Sequence, residues 1–429
     1  MLEVTVVIVP NHVLDMLKRV RALYFQDGRE SRMLPSDAAH APFRGTQSAS
    51  SASITSLWTV LRGQGKASEL SEALLADAET LANAEAYSGN IENMIGTVKV
   101  PVGVVGPLRV RGLHADGDFH LPLATTEAAL VASSARGALA ATRAGGISTA
   151  VLYEGVLRSP AFVFDSLLSA GRFVDWVVSN VEQLKKAAEA TTSHGRLVSL
   201  EPVIDNNIAF LLCRFTTGEA AGQNMVTIAT DALGKKAVAE CPIKPQRWYV
   251  EGNFSGDKKA TSLGTLTGRG RKVSASVVLP GEIVQKVLRT DIDAMLDYSR
   301  VAGLGALLSG QFGAQAHYAN ALAAFYIATG QDAACVAESA VGFTRLERRE
   351  DGLFCSVTMP NILVGTVGGG TRLPSQHAAL SLVGLEGPES AAALAEVTAA
   401  LCLCGEISIV AAMAAGHFAS AHHKLARKR

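Results

Sequence analysis

Apolar residues recur at helical spacing over much of the chain, and alanine and leucine dominate these segments. The pattern predicts helices over Ser68–Tyr87, Thr125–Ala144, Gly281–Arg300, Gly313–Thr329 and Glu389–Lys424. Threonines at the start of the second segment are suited to cap a helix, and the Gly145–Gly146 pair is suited to end it. Val98–Pro107, with its glycines and prolines, predicts a strand and a turn.

The middle of the chain has a different pattern. Asp175–Thr191 is amphipathic and predicts a helix, whereas Arg196–Pro202 and Ile208–Phe215 alternate or run apolar like strands. Gln223–Leu233 returns to a helical pattern. Helix, strand, strand and helix in this order predict a small α+β module of ferredoxin-like type, inserted into a larger domain. We therefore expect an α+β fold with a large helix-rich domain.

The first 56 residues differ from the rest. They mix charged residues, two prolines and a serine-rich run without a sustained period, so we expect a loose extension with one helix, Val13–Tyr24. The predicted organisation is an extension over 1–56, a small helical segment over 57–95, a large domain formed by 96–159 and 250–429, and a small domain over 160–249.

Composition narrows the class of protein. A hydrophobic fraction of 48% with 18% charged residues excludes a disordered chain. The 39 basic and 39 acidic residues cancel, so no net field draws the chain to nucleic acid or anionic membranes. Six cysteines without a CxxC pair argue against a zinc site and favour the reducing cytoplasm.

Targeting and membrane signals are weak. Met1–Pro10 has neither a basic region nor a cleavage site, so we do not expect a signal peptide. Val397–Ala415 is long enough to span a bilayer, but it carries Glu406 near its middle. Because a carboxylate at the bilayer centre costs at least about 2.5 kcal/mol, we predict a helix of the core or of a subunit interface.

Common enzyme motifs do not occur. The sequence has no phosphate-binding P-loop, no GxGxxG after a strand, no GxSxG and no HExxH. Residue patterns alone thus predict a multidomain α+β enzyme without a Rossmann fingerprint.

Five longer sequence motifs are more specific for one protein family. They read ENMIGTVKVPVGVVGP from Glu92, LPLATTEAAL from Leu121, VEGNFSGDKKA from Val250, ATGQDAA from Ala328 and GTVGGGT from Gly365. Together and in this order they resemble the 3-hydroxy-3-methylglutaryl-CoA (HMG-CoA) reductase family, over roughly residues 85–425. The DKK motif and the C-terminal motif AAGHFASAHH are similar to those of the eukaryotic-type class, here without its membrane-anchor region.

The resemblance implies four catalytic residues: Glu127, Lys258, Asp332 and His422. Glu127 would be an acid whose pKa is raised by burial, although a carboxylate in a first helical turn can simply stabilise the helix dipole. Lys258 would hold the oxyanion formed on the thioester carbonyl, although charges on a glycine-rich loop are often only solvated. Asp332 would bridge lysine and glutamate, or be an exposed loop residue.

Histidine offers an acid with a pKa near neutrality, which protonation of the departing CoA thiolate requires. The family spacing points to His422, five residues after His417, and leaves His423 unassigned.

The same resemblance implies ligand contacts. For the hydroxymethylglutaryl group they are Arg158, Asp257, Lys259 and Asn320, and for CoA they are Ser133, Arg136 and Arg300. For the nicotinamide nucleotide they are Glu219, Ala220, Ala221, Gly222, Gln223 and Asn224, with Gly368 and Gly369. The alternative for these glycine segments is a tight turn without a ligand.

Two positions depart from the family. Methionine is more usual at Gln223, and serine at position 193 replaces the arginine that grips the 2′-phosphate in NADPH-dependent members. Ser193, His194 and Arg196 could still contact that phosphate.

The implied activity is reduction of HMG-CoA to mevalonate and CoA by two NADPH hydride transfers, as in isoprenoid biosynthesis. The family also implies a cytoplasmic homodimer or dimer of dimers with interfacial active sites, and no nucleic-acid or membrane partner. Two alternatives are another CoA-thioester enzyme, such as an acyltransferase, and an inactive CoA-binding paralogue.

Overall fold

The computed structural model describes residues 13–19 and 46–416. The chain divides into two units, Met1–Ser48 and Ala49–Arg429. In the first unit, residues 13–19 are helical, in agreement with the first part of the predicted Val13–Tyr24 helix, and the rest of that helix lies outside the described residues.

The second unit begins earlier than predicted. Helix α1 spans Ser51–Gly63, and the Ser50 hydroxyl caps it by accepting from the Ser53 amide. Ile54 and Trp58 are buried in a small apolar cluster with Met94, and the Trp58 indole donates to the Ile95 carbonyl at 2.6 Å. Residues 49–56 therefore belong to a packed core, in contrast to the loose extension predicted up to residue 56.

The segment that follows is helical, as predicted, but it is not continuous. Helix α2 (Glu69–Leu75) and helix α3 (Ala78–Ala82) precede a 3₁₀ turn at Ala84–Tyr87. The side chains of Ser68 and Asp77 cap the two helices. Both residue types compete well for backbone amides, and so they begin new helices within the segment.

The described residues form eleven strands in one mixed sheet. They are β1 (Val102–Gly112), β2 (Asp116–Ala124), β3 (Ile147–Arg158), β4 (Ala161–Val163), β5 (Arg196–Asp205), β6 (Ile208–Thr216), β7 (Arg247–Tyr249), β8 (Gly270–Leu279), β9 (Gly313–Ala314), β10 (Gly342–Arg349) and β11 (Gly352–Ile362). The main order is β7-β4-β6-β3-β8-β11-β10-β9, while β1 pairs with β2 and β3, and β5 pairs with β6.

Strand β3 connects the two halves of this sheet. Its first part pairs with β8 from Ser148 to Gly155, and its last three residues pair with β6. Beyond β6, the strands β4, β5 and β7 pair in antiparallel fashion. The chain thus passes from one set of strands to the other along a single strand.

Helices of the middle segment follow the predicted order. Helix α5 (Leu167–Ser179) and helix α6 (Val181–Glu189) precede the β5–β6 hairpin, and helix α7 (Gln223–Glu240) follows it. The single helix predicted over Asp175–Thr191 is broken at Asn180, whose side-chain amide donates to the Trp176 carbonyl at 2.8 Å. Competition of this kind by asparagine interrupts helices.

Helix α4 (Leu130–Arg143) is shorter than predicted. The expected threonine cap is wrong, because Ala129 precedes the helix with a φ of 72° and no side chain caps it. The Thr125 hydroxyl instead accepts from the Glu127 amide at 3.0 Å. Glu127 therefore lies in a turn before the helix and not in its first turn.

The other helices of the second unit are α8 (Ser262–Thr267), α9 (Gly281–Ile283), α10 (Ile292–Ser309), α11 (Tyr318–Thr329), α12 (Val336–Ser339), α13 (Pro374–Val383) and α14 (Ser390–Ala414). The helix predicted over Gly281–Arg300 is divided, since a π-helical turn continues α9 to Leu288 and Arg289 then adopts a left-handed conformation. The helix predicted from Gly313 begins at Tyr318.

Helix α14 is buried in the core of the second unit. It is apolar and long enough to cross a membrane, but 89% of its most apolar window is buried inside the protein. Its two buried carboxylates are satisfied by backbone amides. Glu396 accepts from His114, Ala115 and Val151, and Glu406 accepts from Ala316 and His317. The prediction of a core helix around Glu406 is therefore confirmed.

Candidate active site

Lys258 lies on the glycine-containing loop between β7 and α8. Gly256 and Lys258 both have a positive φ, of 72° and 56°, so the loop turns sharply at this point. The turn directs the Lys258 ammonium to Asp332, whose Oδ2 is 2.9 Å from Nζ. The hydrogen bond to this carboxylate raises the pKa of Lys258. Lys258 thus stays protonated and can donate to an oxyanion.

Asp332 lies just beyond the C-terminal end of α11. The helix dipole disfavours a carboxylate there, and three donors compensate. Lys258 and Gln223 reach Oδ2, and the Ala334 amide donates to Oδ1 at 3.0 Å. Burial raises the pKa of Asp332, but these hydrogen bonds outweigh burial and the net pKa is lowered. Asp332 is therefore ionised at neutral pH.

Asp257 belongs to a buried network of charges. Its carboxylate lies 3.1 Å from the Arg158 guanidinium and 2.9 Å from that of Arg269. Arg269 is 1% exposed and pairs with Glu338 at 2.6 Å, and Glu338 also lies 3.4 Å from the backbone nitrogen of Lys258. Burial raises the pKa of Glu338. The network fixes the backbone from which Lys258 projects.

Three members of this network were not singled out from the sequence: Glu251, Arg269 and Glu338. The Glu251 carboxylate lies 3.3 Å from the Arg158 guanidinium. Glu251 belongs to the same VEGNFSGDKKA motif as Lys258. Glu338 follows Asp332 by six residues in an otherwise apolar stretch, and that isolated carboxylate was an available signal. Lys259, in contrast, is exposed, and its ammonium donates to the Asp257 carbonyl at 2.9 Å.

Glu127 and Asn320 meet at a cavity of about 720 Å³. The Asn320 amide donates to the Glu127 carboxylate at 3.2 Å. Ser133 and Arg136 line the same cavity and both contact Ser408 of α14. His317, which the sequence did not single out, lies in the wall as well. Residues expected to contact substrate and CoA therefore share one cavity.

Arg300 is not part of this wall. It is exposed on α10 and pairs with Asp297, one turn away, at 2.8 Å. Its predicted contact with CoA stays a prediction.

The two glycine segments expected to hold the nucleotide lie side by side. Ala220 and Val367 form a parallel bridge, and the Thr366 amide donates to the Glu219 carbonyl at 2.9 Å. Gly222 adopts a φ of 79°, and a Cβ there would lie 2.2 Å from Thr217, so only glycine fits. A Cβ on Gly368 or Gly369 would meet open space, and this leaves room for a ligand.

Helix α7 begins directly after Gly222. Among the described residues no side chain caps its first turn, which carries no acidic residue. Free amides at a helix N-terminus attract phosphate groups. Asn224 is exposed in this turn, while Gln223 reaches toward Asp332.

The Glu219 carboxylate serves a purpose that the sequence did not predict. It accepts from the amides of Glu389 and Ala391, at 2.7 Å each, and from the Ser390 hydroxyl at 3.0 Å. Glu219 thereby caps the N-terminus of α14. Burial raises the pKa of this carboxyl, but the hydrogen bonds prevail and lower it. Its side chain is occupied by the fold, and its backbone remains beside the glycine segment.

Ser193 and His194 are exposed in the loop before β5. The Thr192 hydroxyl accepts from the amides of His194 and Gly195, and it lies 2.9 Å from the sulfur of Met225 on α7. The Arg196 guanidinium donates to the carbonyls of Ser193 and Gly195 and so stabilises the loop. This loop therefore neighbours the start of α7, where the nucleotide is expected.

The C-terminal histidines cannot be placed. His417, His422 and His423 lie outside the described residues, so the predicted role of His422 stays a prediction. Within residues 13–19 and 46–416, no three His, Cys, Asp or Glu side chains are grouped to hold a metal ion.

Known proteins are similar to this chain over most of its length. The family model for hydroxymethylglutaryl-coenzyme A reductase matches residues 60–427. A 3-hydroxy-3-methylglutaryl-coenzyme A reductase from Aeropyrum pernix is 43% identical over 349 residues, which cover 80% of this chain and 83% of that protein. One from Methanocaldococcus jannaschii is 40% identical over 350 residues, covering 80% and 86%.

Similarity also extends to solved structures. The class II 3-hydroxy-3-methylglutaryl-CoA reductase from Streptococcus pneumoniae, bound to NADPH in open conformations, superposes with a TM-score of 0.62 at 18% identity. The match covers 84% of this chain and 96% of that one, and at this identity it establishes the fold. The family model and the relatives from Aeropyrum pernix and Methanocaldococcus jannaschii show that the chain belongs to the hydroxymethylglutaryl-coenzyme A reductase family.

Proposed function

We propose that the protein reduces HMG-CoA to mevalonate and free CoA. The observation that carries the proposal is the Lys258–Asp332 pair, 2.9 Å apart on a sharply turned loop. A thioester carbonyl gains negative charge on its oxygen during reduction, and a fixed ammonium stabilises that charge. Asp332 keeps the ammonium protonated, and the network around Asp257 keeps its backbone in place.

NADPH supplies the hydride in each of the two reductions. The amides at the start of α7 and the space beside Gly368 and Gly369 would hold it, and the Ser193–Arg196 loop would lie near its 2′-phosphate. We assign this role to the small domain over 160–249, as a ferredoxin-like insertion without a Rossmann turn. The large domain over 96–159 and 250–429 would bind the CoA thioester.

The remaining steps are proton transfers by this chain's residues. Lys258 donates a hydrogen bond to the oxyanion in the first reduction. His422 protonates the CoA thiolate as the hemithioacetal collapses to mevaldehyde. Glu127 or Lys258 supplies the proton in the second reduction, and Asn320 holds the Glu127 carboxylate in position.

The site is proposed to be shared between two copies of the chain. Asn320 lies in the first turn of α11, and Asp332 lies just beyond its last residue. A 12-residue helix is about 18 Å long, so the Glu127 and Lys258 groups lie at opposite ends of it. Pairing of two chains would bring the Glu127 group of one copy to the Lys258 group of the other. We place this homodimer, or dimer of dimers, in the cytoplasm.

A spectrophotometric assay tests the activity. Purified protein with HMG-CoA should oxidise NADPH, with loss of absorbance at 340 nm, and a parallel reaction with NADH measures cofactor preference. CoA release without NADPH oxidation would favour an acyltransferase. Binding of HMG-CoA with neither reaction would favour an inactive CoA-binding protein, and either result would overturn the proposal.

A further inference from the structure

The Gln223 side chain extends from the proposed nucleotide segment to the proposed catalytic pair. Gln223 is the first residue of α7, directly after the left-handed Gly222. Its amide nitrogen lies 3.2 Å from Asp332 Oδ2 and 3.0 Å from the Cys335 sulfur. Asp332 Oδ2 is the same oxygen that pairs with Lys258. One carboxylate oxygen therefore receives both a lysine and an amide.

We infer that Gln223 is a positioning residue, which holds the Asp332 carboxylate ionised and aligned with Lys258. The inference rests on the proposed function, because it concerns the pair assigned there to oxyanion stabilisation. An amide donor stabilises an ionised carboxylate more than its protonated form. It also restricts rotation of the carboxylate, since Oδ1 is already held by the Ala334 amide.

The charged groups around Asp332 determine how much the Gln223 amide can affect its ionisation. Lys258 faces it from the loop, and Cys335 faces it from its own segment. Glu338 and Asp257 contribute negative charge behind these two groups. Lys258 is thus the one cation against Asp332 among the described residues, and the Gln223 amide adds a second donor that carries no charge of its own.

The structure also couples two parts of the site. Gln223 and Gly222 are consecutive, and Gly222 can only be glycine because a Cβ would meet Thr217. Any shift of the α7 N-terminus, where phosphate is expected, would move the Gln223 amide relative to Asp332. Gln223 would thus relate the position of the nucleotide segment to the alignment of Lys258.

Two variants of Gln223 distinguish a positioning role from a role in NADPH binding. Gln223→Met keeps the length of the side chain and removes the donor, while Gln223→Glu places a second carboxylate beside Asp332. We expect kcat to fall about tenfold in Gln223→Met, the effect of one lost hydrogen bond to a charged group, and further in Gln223→Glu. KM for NADPH should change little in Gln223→Met. Gln183→Met, at an exposed position on α6, is the matched control and should behave like the wild type.

The pH profile of kcat is the readout that a purely structural role would not change. Loss of the donor raises the pKa of Asp332, so the acidic limb should move to higher pH in Gln223→Met and further in Gln223→Glu. Thermal midpoints close to that of the wild type would show that the variants fold. An unchanged pH profile, or a raised KM for NADPH with unchanged kcat, would overturn the inference. Absence of turnover in the wild type would instead contradict the proposed function.

Discussion

Removal of the Glu219 carboxylate should destabilise the protein without removing a substrate contact. The N-cap residue of α14 is Glu389, which adopts a left-handed conformation and offers no side-chain cap of its own. Glu219, 170 residues away in sequence, provides the cap through two amides and one hydroxyl. In Glu219→Ala these donors lose their acceptor, while the backbone bridge between Ala220 and Val367 does not depend on the side chain.

The magnitude follows from two effects. Loss of a helix N-cap costs about 0.5–2 kcal/mol, and loss of a negative charge at a helix N-terminus costs about 0.3–1 kcal/mol more. We therefore expect a loss of about 1–3 kcal/mol in the free energy of unfolding. For a unit of this size the thermal midpoint should fall by about 1–4 °C at pH 7. Glu219→Gln, which keeps one acceptor and loses the charge, should be intermediate.

Scanning calorimetry or dye-monitored melting measures the effect, and Glu386→Ala, an exposed glutamate before the same helix, is the control. The folded-state pKa of Glu219 is lowered, so its stabilisation is present above the ordinary glutamate pKa and is lost as pH falls through the lowered value. The difference between wild type and Glu219→Ala should therefore shrink in acid. An unchanged midpoint together with a raised KM for NADPH would refute this reasoning and make Glu219 a nucleotide ligand.

Three further predictions concern the proposed catalytic loop and the first helix. Lys258→Ala should abolish turnover, whereas Lys259→Ala should mainly raise KM for HMG-CoA, because oxyanion contacts exist only in the transition state; equal losses of kcat would contradict this division. Asp332→Asn should lower kcat about 10–100-fold and move the basic limb of its pH profile to lower pH, since Asp332 raises the pKa of Lys258, and an unmoved limb would count against the pair. Ile54→Ala should lower the free energy of unfolding in urea by about 2–5 kcal/mol, since Ile54 is fully buried. A loss near zero would instead support the loose extension predicted up to residue 56.

Local periodicity was sufficient for part of the fold. The apolar pattern located α11, α14 and the β5–β6 hairpin, because each buries a continuous stripe or face. It missed the breaks at Asn180 and Arg289 and the late start of α4 at Leu130. A side chain that competes for the backbone, or a left-handed residue, decides such points, and neither changes the apolar period.

The candidate site was predictable only as a set of sequence motifs. The motifs contain Lys258, Asp332 and Glu127, and the family resemblance also implied Asn320. The structure joins these four residues in two pairs. Contacts between distant segments were not predictable: the Gln223–Asp332 bond spans 109 residues and the Glu396 contacts span up to 283. Arg269 escaped notice because a buried arginine and an exposed one look identical in sequence.

The central claim is that this chain carries out both reductions of HMG-CoA, and the stoichiometry of one reaction tests it most directly. Limiting HMG-CoA is incubated with excess NADPH, and NADPH consumption at 340 nm, free thiol and mevalonate are measured in the same sample. The account predicts two NADPH oxidised for each thiol released and each mevalonate formed, with no consumption by Lys258→Ala. One NADPH per thiol with accumulation of mevaldehyde, or thiol release without NADPH oxidation, would contradict it.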